Sequence, residues 1–190
     1  DYVSMLSHEV GRYFSDMTSG GEVPELRYSS HALYDGIPAP LSTVDTSKIQ
    51  NILYDRLTAN VDRECAAGST LWGIHKDDVS LMINGREAKL YASQGQQRSV
   101  ALSLKLAEAE IANKLGGEYP VILLDDVFSE LDEKRRKYIL DILSADDESK
   151  RQIIITSCEP DIIPKERLSH VKFNHVAGGE IVGAEVGDVH

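Results

Sequence analysis

Apolar residues recur at helical spacing from the start of the chain. Val3, Leu6, Val10, Tyr13, Phe14 and Met17 fall on one face of a helix over residues 2–17. That helix reads as one already under way, so the chain is expected to begin within a domain. "GGEVPELRYSS" predicts a turn and a short strand, and residues 35–45 form a loop rich in Pro, Ser and Thr. A second helix follows, with Ile49, Ile52, Leu53, Leu57 and Val61 on one face and Gly68 near its end. Residues 1–68 are therefore expected to form a small, mostly helical subdomain.

The period then changes. "DDVSLMINGREAKLYAS" alternates apolar and polar positions around Asn84-Gly85, a strong hairpin signal. "SQGQQRSVALSLKLAEAEIANKLGG" is a long helix, apolar on most faces and closed by Gly116-Gly117. "YPVILLDD" and "QIIITS" read as strands buried on both faces of a parallel sheet, with the amphipathic helix "DEKRRKYILDILS" between them. Tyr138, Ile139, Ile142 and Leu143 are its inward positions. "HVKFNHVAGGEIV" predicts a closing hairpin turning at Gly178-Gly179. Residues 69–190 are thus an α/β unit: a parallel sheet with flanking helices.

Composition narrows the function classes. The 190 residues are 42% hydrophobic and 27% charged, as in ordinary globular proteins. No apolar run reaches membrane-spanning length and no signal peptide opens the chain, so no membrane partner is expected. Cys65 and Cys158 lack paired spacing and fit a reducing, cytoplasmic compartment. A net charge of −11 weighs against a strong nucleic-acid grip by this stretch alone, because phosphate contacts need clustered Lys and Arg. The one dense basic run, Lys134 to Lys137, follows Asp132 and Glu133 and reads as a solvated helix face.

Two segments carry chemistry. "VILLDD" delivers Asp125 and Asp126 to the carboxyl edge of a parallel sheet, where α/β folds bind ligands. Adjacent carboxylates repel unless a cation lies between them; a strand-end Asp of this kind holds Mg²⁺ in nucleotide-hydrolysing folds. The plain alternative is a pair of loop aspartates capping the next helix. "SQGQQR", Ser93 to Arg98, opens the long helix with a hydroxyl, a glycine and two amides aimed at its positive end, an arrangement suited to an anion. Its plain alternative is an N-cap serine followed by surface glutamines. His75, beside Asp77 and Asp78, is either a proton carrier or a structural hydrogen-bonder. His170 and His175 have no partners at metal-ligand spacing, so no zinc site is expected.

Together these segments resemble ABC-type ATPases. "SQGQQR" resembles their signature motif, "VILLDD" the Walker B strand and "SELD" the D-loop. The wording of "DDVFSELDEKRR", with "GIHKDD" at Gly73 to Asp78, resembles the RecF family, relatives of the SMC and Rad50 proteins. The likeness is strongest from Gly73 to Ile155. It implies the C-terminal lobe of an ABC-type P-loop ATPase that uses ATP and Mg²⁺. Asp125 would then be the metal-coordinating acid and Asp126 the carboxylate orienting water. Ser93, Gly95 and Gln96 would contact the γ-phosphate of a nucleotide bound by a partner subunit. Arg98 would anchor the signature helix, and Ser129 with Asp132 would form the D-loop at a homodimer interface. The water-orienting residue is usually Glu in these ATPases; Asp126 is one methylene shorter, which implies slow hydrolysis. Ser157 stands where the family's switch histidine does, so that role falls to Thr156 or Ser157.

A phosphate loop, Gly-x-x-x-x-Gly-Lys-Ser/Thr, is missing. Gly68 to Gly73 and Gly178 to Gly183 have the glycine spacing, but Ile74 and Ala184 follow where Lys is required. The chain alone is therefore expected to hydrolyse no ATP, and to be part of a longer, slow ATPase. The resemblance implies ATP-driven dimerisation on gapped or junction DNA, with RecO and RecR as partners in loading recombinase for repair, replication restart and the SOS response. Two other readings stay open. One is a non-catalytic dimerisation module that keeps ATPase-like motifs. The other is a phosphoacceptor receiver domain, which needs Asp-Asp near its start and a further Asp and Lys after later strands.

Overall fold

The computed structural model describes residues 2–30, 38–40, 45–128, 131–144, 151–159 and 171–186. Helix α1 (Tyr2–Thr18) forms where the apolar spacing predicts it, burying Leu6, Val10, Tyr13, Phe14 and Met17. It leads into β1 (Pro24–Ser29), which pairs antiparallel with β2 (Pro38–Pro40) on one side and β3 (Asp78–Ile83) on the other. Asn84 and Gly85 both take positive φ, 50° and 76°, the turn that matches strand twist. The strand after that turn, β4 (Arg86–Glu87), is only two residues long and passes at once into α4 (Ala88–Tyr91). The predicted hairpin is therefore a stub, and the main partner of β3 is the distant β1.

The single second helix expected over residues 49–68 is two helices, α2 (Thr46–Ala59) and α3 (Val61–Ala67), broken at Asn60. Their apolar stripe is at most half-buried, and no described side chain of either helix is buried. Most of the expected 35–45 loop lies outside the described residues.

Helix α5 (Gln94–Gly116) is the spine. It buries Ser99, Leu102, Ser103, Leu106, Ala107, Ala109 and Ile111 against α1 and its neighbours. Gly117 ends it in left-handed conformation (φ 79°), its N–H donating to the Asn113 carbonyl. Strand β5 (Ile122–Leu124) and β6 (Ile153–Ile155) pair in parallel, joined through α6 (Glu133–Ser144), the expected crossover order. A hairpin of β7 (Lys172–Ala177) and β8 (Glu180–Val186) turns at Gly178-Gly179 as expected. One core contains side chains from α1, β1, β3, α5, β5 and α6. It therefore draws on residues either side of position 68.

The parallel pair departs from expectation in one respect. Ile122 and Leu124 are buried, but Leu123 is 69% exposed and its register partner Ile154 49%. The Ile122 and Leu124 face is the covered one, because successive strand residues point to opposite faces and Leu123 and Ile154 fall on the exposed side. The apolar run that predicts two buried faces is satisfied on one alone.

A buried carboxylate ties α1 to α5. Glu9 is 3% exposed, and Arg12 and Lys114 donate to it at 2.9 Å and 2.6 Å. Burial raises its carboxyl, but the hydrogen bonds from Lys114, Arg12 and His8 outweigh that and pull it to about 2. One turn back along α5, Glu110 accepts from Tyr119 at 3.0 Å, from Arg151 at 3.1 Å and from Tyr13 at 3.3 Å. The guanidinium of Arg151 lies 4.5 Å over the Tyr119 ring, extending this network to two residues before β6.

Candidate nucleotide-facing site

The site is built at the junction of α5, β5 and β6. Ser93 is the N-cap of α5 and forms a reciprocal capping box. Its hydroxyl accepts from the Gln96 N–H at 3.3 Å, and Gln96 Oε1 accepts from the Ser93 N–H at 2.8 Å. Gly95 sits in the first turn, where its missing side chain leaves the helix end approachable. Ser93 and Gln96 thus have structural duties at the mouth of the helix, and Gln96 extends one further contact: its Nε2 donates to Glu22 at 2.9 Å.

Strand β5 ends at Leu124, and the two aspartates follow. Asp125 is exposed; Asp126 is half-buried, with φ 46°, a left-handed backbone that Asp tolerates better than most residues. Phe128, fully buried, pins the turn to the core. The loop is held from β6 by Thr156. Its N–H donates to the Leu124 carbonyl at 3.0 Å, and its hydroxyl accepts from the Asp126 N–H at 3.1 Å. The same hydroxyl donates its proton to Asp125 Oδ1, which uses its one donor and one of its lone pairs. Arg98, one turn into α5, donates from Nη1 to the Asp126 carbonyl at 3.2 Å. That is the anchoring contact expected of it, and through it the two motifs adjoin. A cleft of about 190 Å³ opens beside Asp125, lined by Arg98, Leu102, Lys105, Leu124 and Val127.

The other sequence-derived candidates lie around this centre. Asp132 is at the N-terminus of α6. Its carboxylate accepts from the Arg135 N–H at 2.9 Å and pairs with the Arg135 guanidinium. The Arg135 N–H above all holds that carboxyl below the usual range, against the opposing effect of burial. Ser129 lies outside the described residues. Ser157 turns away into a local loop, accepting from the Glu159 N–H at 3.1 Å. Of Thr156 and Ser157, it is Thr156 that lies against Asp125. His75 bonds the Thr70 carbonyl at 3.1 Å, a structural role within its own turn. Next to it Asp77 accepts from the Tyr28 hydroxyl, and burial together with this bond pushes Tyr28 up to about 12.

Sequence reasoning missed Glu22 and Arg135. The basic run at 134–137 reads as a solvated face, yet Arg135 and Arg136 are half-buried while Lys134 and Lys137 are exposed. Helical period separates them: Arg135 and Arg136 fall on the inward side with Ile139. Glu22, in a Gly-rich turn, carries no sequence signal at all.

The donor set suits a hard cation that keeps other ligands. No group of three or more His, Cys, Asp or Glu side chains gathers among the described residues. Asp125 has one carboxylate oxygen not used by Thr156, with a hydroxyl alongside. Mg²⁺ is commonly held by one or two carboxylates, the rest of its shell coming from water and phosphate. The residues fit that ion as a partial shell.

No protein-family model matches the chain. The DNA replication and repair protein RecF of Clostridium novyi (strain NT) is 38% identical over 180 residues, 95% of this chain and 45% of that protein. A solved structure of the recombination mediator RecF-ATPrS of the RecFOR pathway superposes with a TM-score of 0.64 at 30% identity, over 95% of this chain and 44% of its own. An SMC ATPase structure, from work on ATP-driven dimerization and DNA-stimulated activation, superposes at 0.52 over 96% of this chain and 82% of its own. At 12% identity it shares the fold alone: the ABC-type ATPase head. The chain spans less than half the length of the RecF protein and of the RecF structure it matches. With the aspartate loop locked to the start of α5 and 38% identity along nearly its whole length, the chain belongs to the RecF family, of which it is a partial, C-terminal portion.

Proposed function

We propose that this chain supplies part of a composite ATP site in a RecF-type DNA-repair ATPase. Asp125 holds Mg²⁺, and Asp126 orients the attacking water from the turn beside it. The ion, when bound, neutralises charge on the transferring phosphate. Ser93, Gly95 and Gln96 present the positive end of α5 to the γ-phosphate of a nucleotide carried by a partner subunit. Ser129 and Asp132 face that partner across the dimer. Thr156 takes the place of the switch histidine: its hydroxyl reports on Asp125 and holds the Asp126 backbone.

The observation that supports this reading is the Thr156 hydroxyl shared between Asp125 and the Asp126 N–H, with Arg98 tying the same loop to α5. A pair of casual capping aspartates needs no such frame. The bare face at Leu123 and Ile154 fits a sheet whose second covering layer belongs to the rest of a family-length protein, along with the phosphate loop. In that whole protein, ATP drives dimerisation at gapped or junction DNA, with RecO and RecR as partners in loading recombinase.

The test uses family-length protein carrying Asp125→Ala or Thr156→Val. Mg²⁺-dependent nucleotide binding falls sharply with Asp125→Ala. Thr156→Val keeps binding within about threefold but slows turnover by roughly tenfold or more, since a misplaced water-orienting group costs rate rather than affinity. Unchanged binding and turnover in both variants would refute the assignment. So would Mg²⁺-dependent turnover by the present chain alone.

A further inference from the structure

Glu22 lies in the turn between α1 and β1, far in sequence from both motifs, yet it touches both. Its carboxylate accepts from Gln96 Nε2 at 2.9 Å, at the mouth of α5. It also pairs with the Arg135 guanidinium at 3.5 Å, and Arg135 in turn pairs with Asp132. Gln96 is itself locked to Ser93 by the capping box. One continuous path thus runs Ser93–Gln96–Glu22–Arg135–Asp132, from the start of α5 to the start of α6.

The centre of the path is sheltered and held in place, while its ends at Ser93 and Asp132 are exposed. The Glu22 and Arg135 side chains are 20% and 15% exposed. Arg135 reaches Glu22 through Nη2 and Asp132 through Nη1, so one guanidinium joins the two carboxylates. Beside Glu22, the Val23 N–H donates to Asn84 Oδ1 and the Asn84 N–H donates to the Val23 carbonyl, both at 2.9 Å. The β3–β4 turn therefore pins the Glu22 backbone to the antiparallel sheet.

We propose that Glu22 is a positioning residue that holds the N-termini of α5 and α6 in fixed relation, so that the segment at 93–96 and Asp132 meet a partner subunit as one rigid surface. The proposal rests on the composite-site reading above. Glu22 touches no nucleotide; it acts through Gln96 and Arg135. Loss of the carboxylate leaves Gln96 without its acceptor and Arg135 with Asp132 alone, and the two helix ends then move independently.

The experiment uses Glu22→Ala and Glu22→Gln in family-length protein, with two readouts. Amide hydrogen exchange without nucleotide reads the coupling itself. Glu22→Ala speeds exchange on the order of tenfold both at Gln96–Arg98 and at Arg135–Lys137, whereas Glu22→Gln, which keeps an acceptor for Gln96, speeds it at Arg135–Lys137 alone. Sedimentation with ATP reads the consequence. The dimer dissociation constant rises roughly tenfold in Glu22→Ala, while nucleotide binding to dilute monomer stays within about twofold. Unchanged exchange at either helix end in Glu22→Ala overturns the coupling. Faster exchange with undiminished dimerisation overturns the positioning role and leaves a merely structural contact. Failure of unaltered protein to dimerise on ATP defeats the composite-site reading and, with it, the role at a partner surface; exchange still decides the coupling.

Discussion

Replacing Glu9 by Gln isolates the buried charge that joins α1 to α5. The side chain keeps its size and one acceptor, but the charge that Arg12 and Lys114 neutralise is gone. The carboxyl lies at about 2 in the folded protein against an ordinary value of 4.5. At about 1.4 kcal/mol for each tenfold, that gap sets an upper bound on the order of 3 kcal/mol. Arg12 and Lys114 are themselves 45% and 50% exposed, so solvent screens part of the attraction and regains part of the loss. About 2 kcal/mol remains as the expected cost at neutral pH. With a urea slope of about 2 kcal/mol/M for a chain of this size, the midpoint falls by about 1 M. The pH dependence has a definite sign. A carboxyl whose folded value lies below its unfolded one stabilises the fold fully above the unfolded value, and that contribution drains away as pH falls towards the folded one. The difference between the two proteins should therefore be flat from neutrality to about pH 5, then shrink to roughly half near pH 3. Urea titrations followed by far-ultraviolet circular dichroism at several pH values measure it. A difference below about 0.5 kcal/mol at pH 7, or one that holds constant down to pH 3, refutes the account of Glu9 as a paired buried anion.

Two further substitutions probe the frame of the site. Gly117→Ala introduces a side chain at φ 79°, where open space surrounds the Cβ but the backbone itself is strained, and should cost about 1 kcal/mol. A melting-temperature drop of about 2–4 °C is the expected reading. Leu123→Glu falls on the bare face of β5 and should change the stability of this chain by no more than about 0.5 kcal/mol. It should also reduce self-association seen by light scattering, because it interrupts the apolar surface at Leu123 and Ile154. A loss of several kcal/mol would mean that this face is buried after all.

Much of the frame was legible along the chain because periodicity reports local geometry. The spacing of Leu6, Val10, Tyr13, Phe14 and Met17 specifies a one-sided helix whatever lies opposite it. Asn84-Gly85 specifies a turn with two positive φ angles, and Gly116-Gly117 a helix end, because few residues adopt those angles cheaply. The order of strand, helix and strand around Asp125 specifies a parallel pair, since parallel strands need a long crossover. Less legible was anything that depends on what packs where. "VILLDD" and "QIIITS" read alike whether one face or two are covered, as the pattern records what each strand can bury. The run Lys134–Lys137 looked uniform, and only the helix's rotation against the core divided it into half-buried arginines and exposed lysines.

The candidate site divides along the same line. Asp125, Asp126 and the "SQGQQR" segment are singled out as candidates by the sequence alone, because residue type and position at a strand or helix end are local features. Which hydroxyl stands against Asp125 was decided only in three dimensions. The parallel register of β5 and β6 sets Leu124 opposite Ile155 and so brings Thr156, not Ser157, to the aspartates. Glu22 was wholly invisible to sequence. Its contacts span 74 and 113 residues, to Gln96 and Arg135, and exist because β1 pairs with β3 and draws a Gly-rich turn onto the ends of α5 and α6. Local sequence determines backbone preference and side-chain chemistry; contacts between distant segments are created by strand pairing and core packing, which no local pattern encodes.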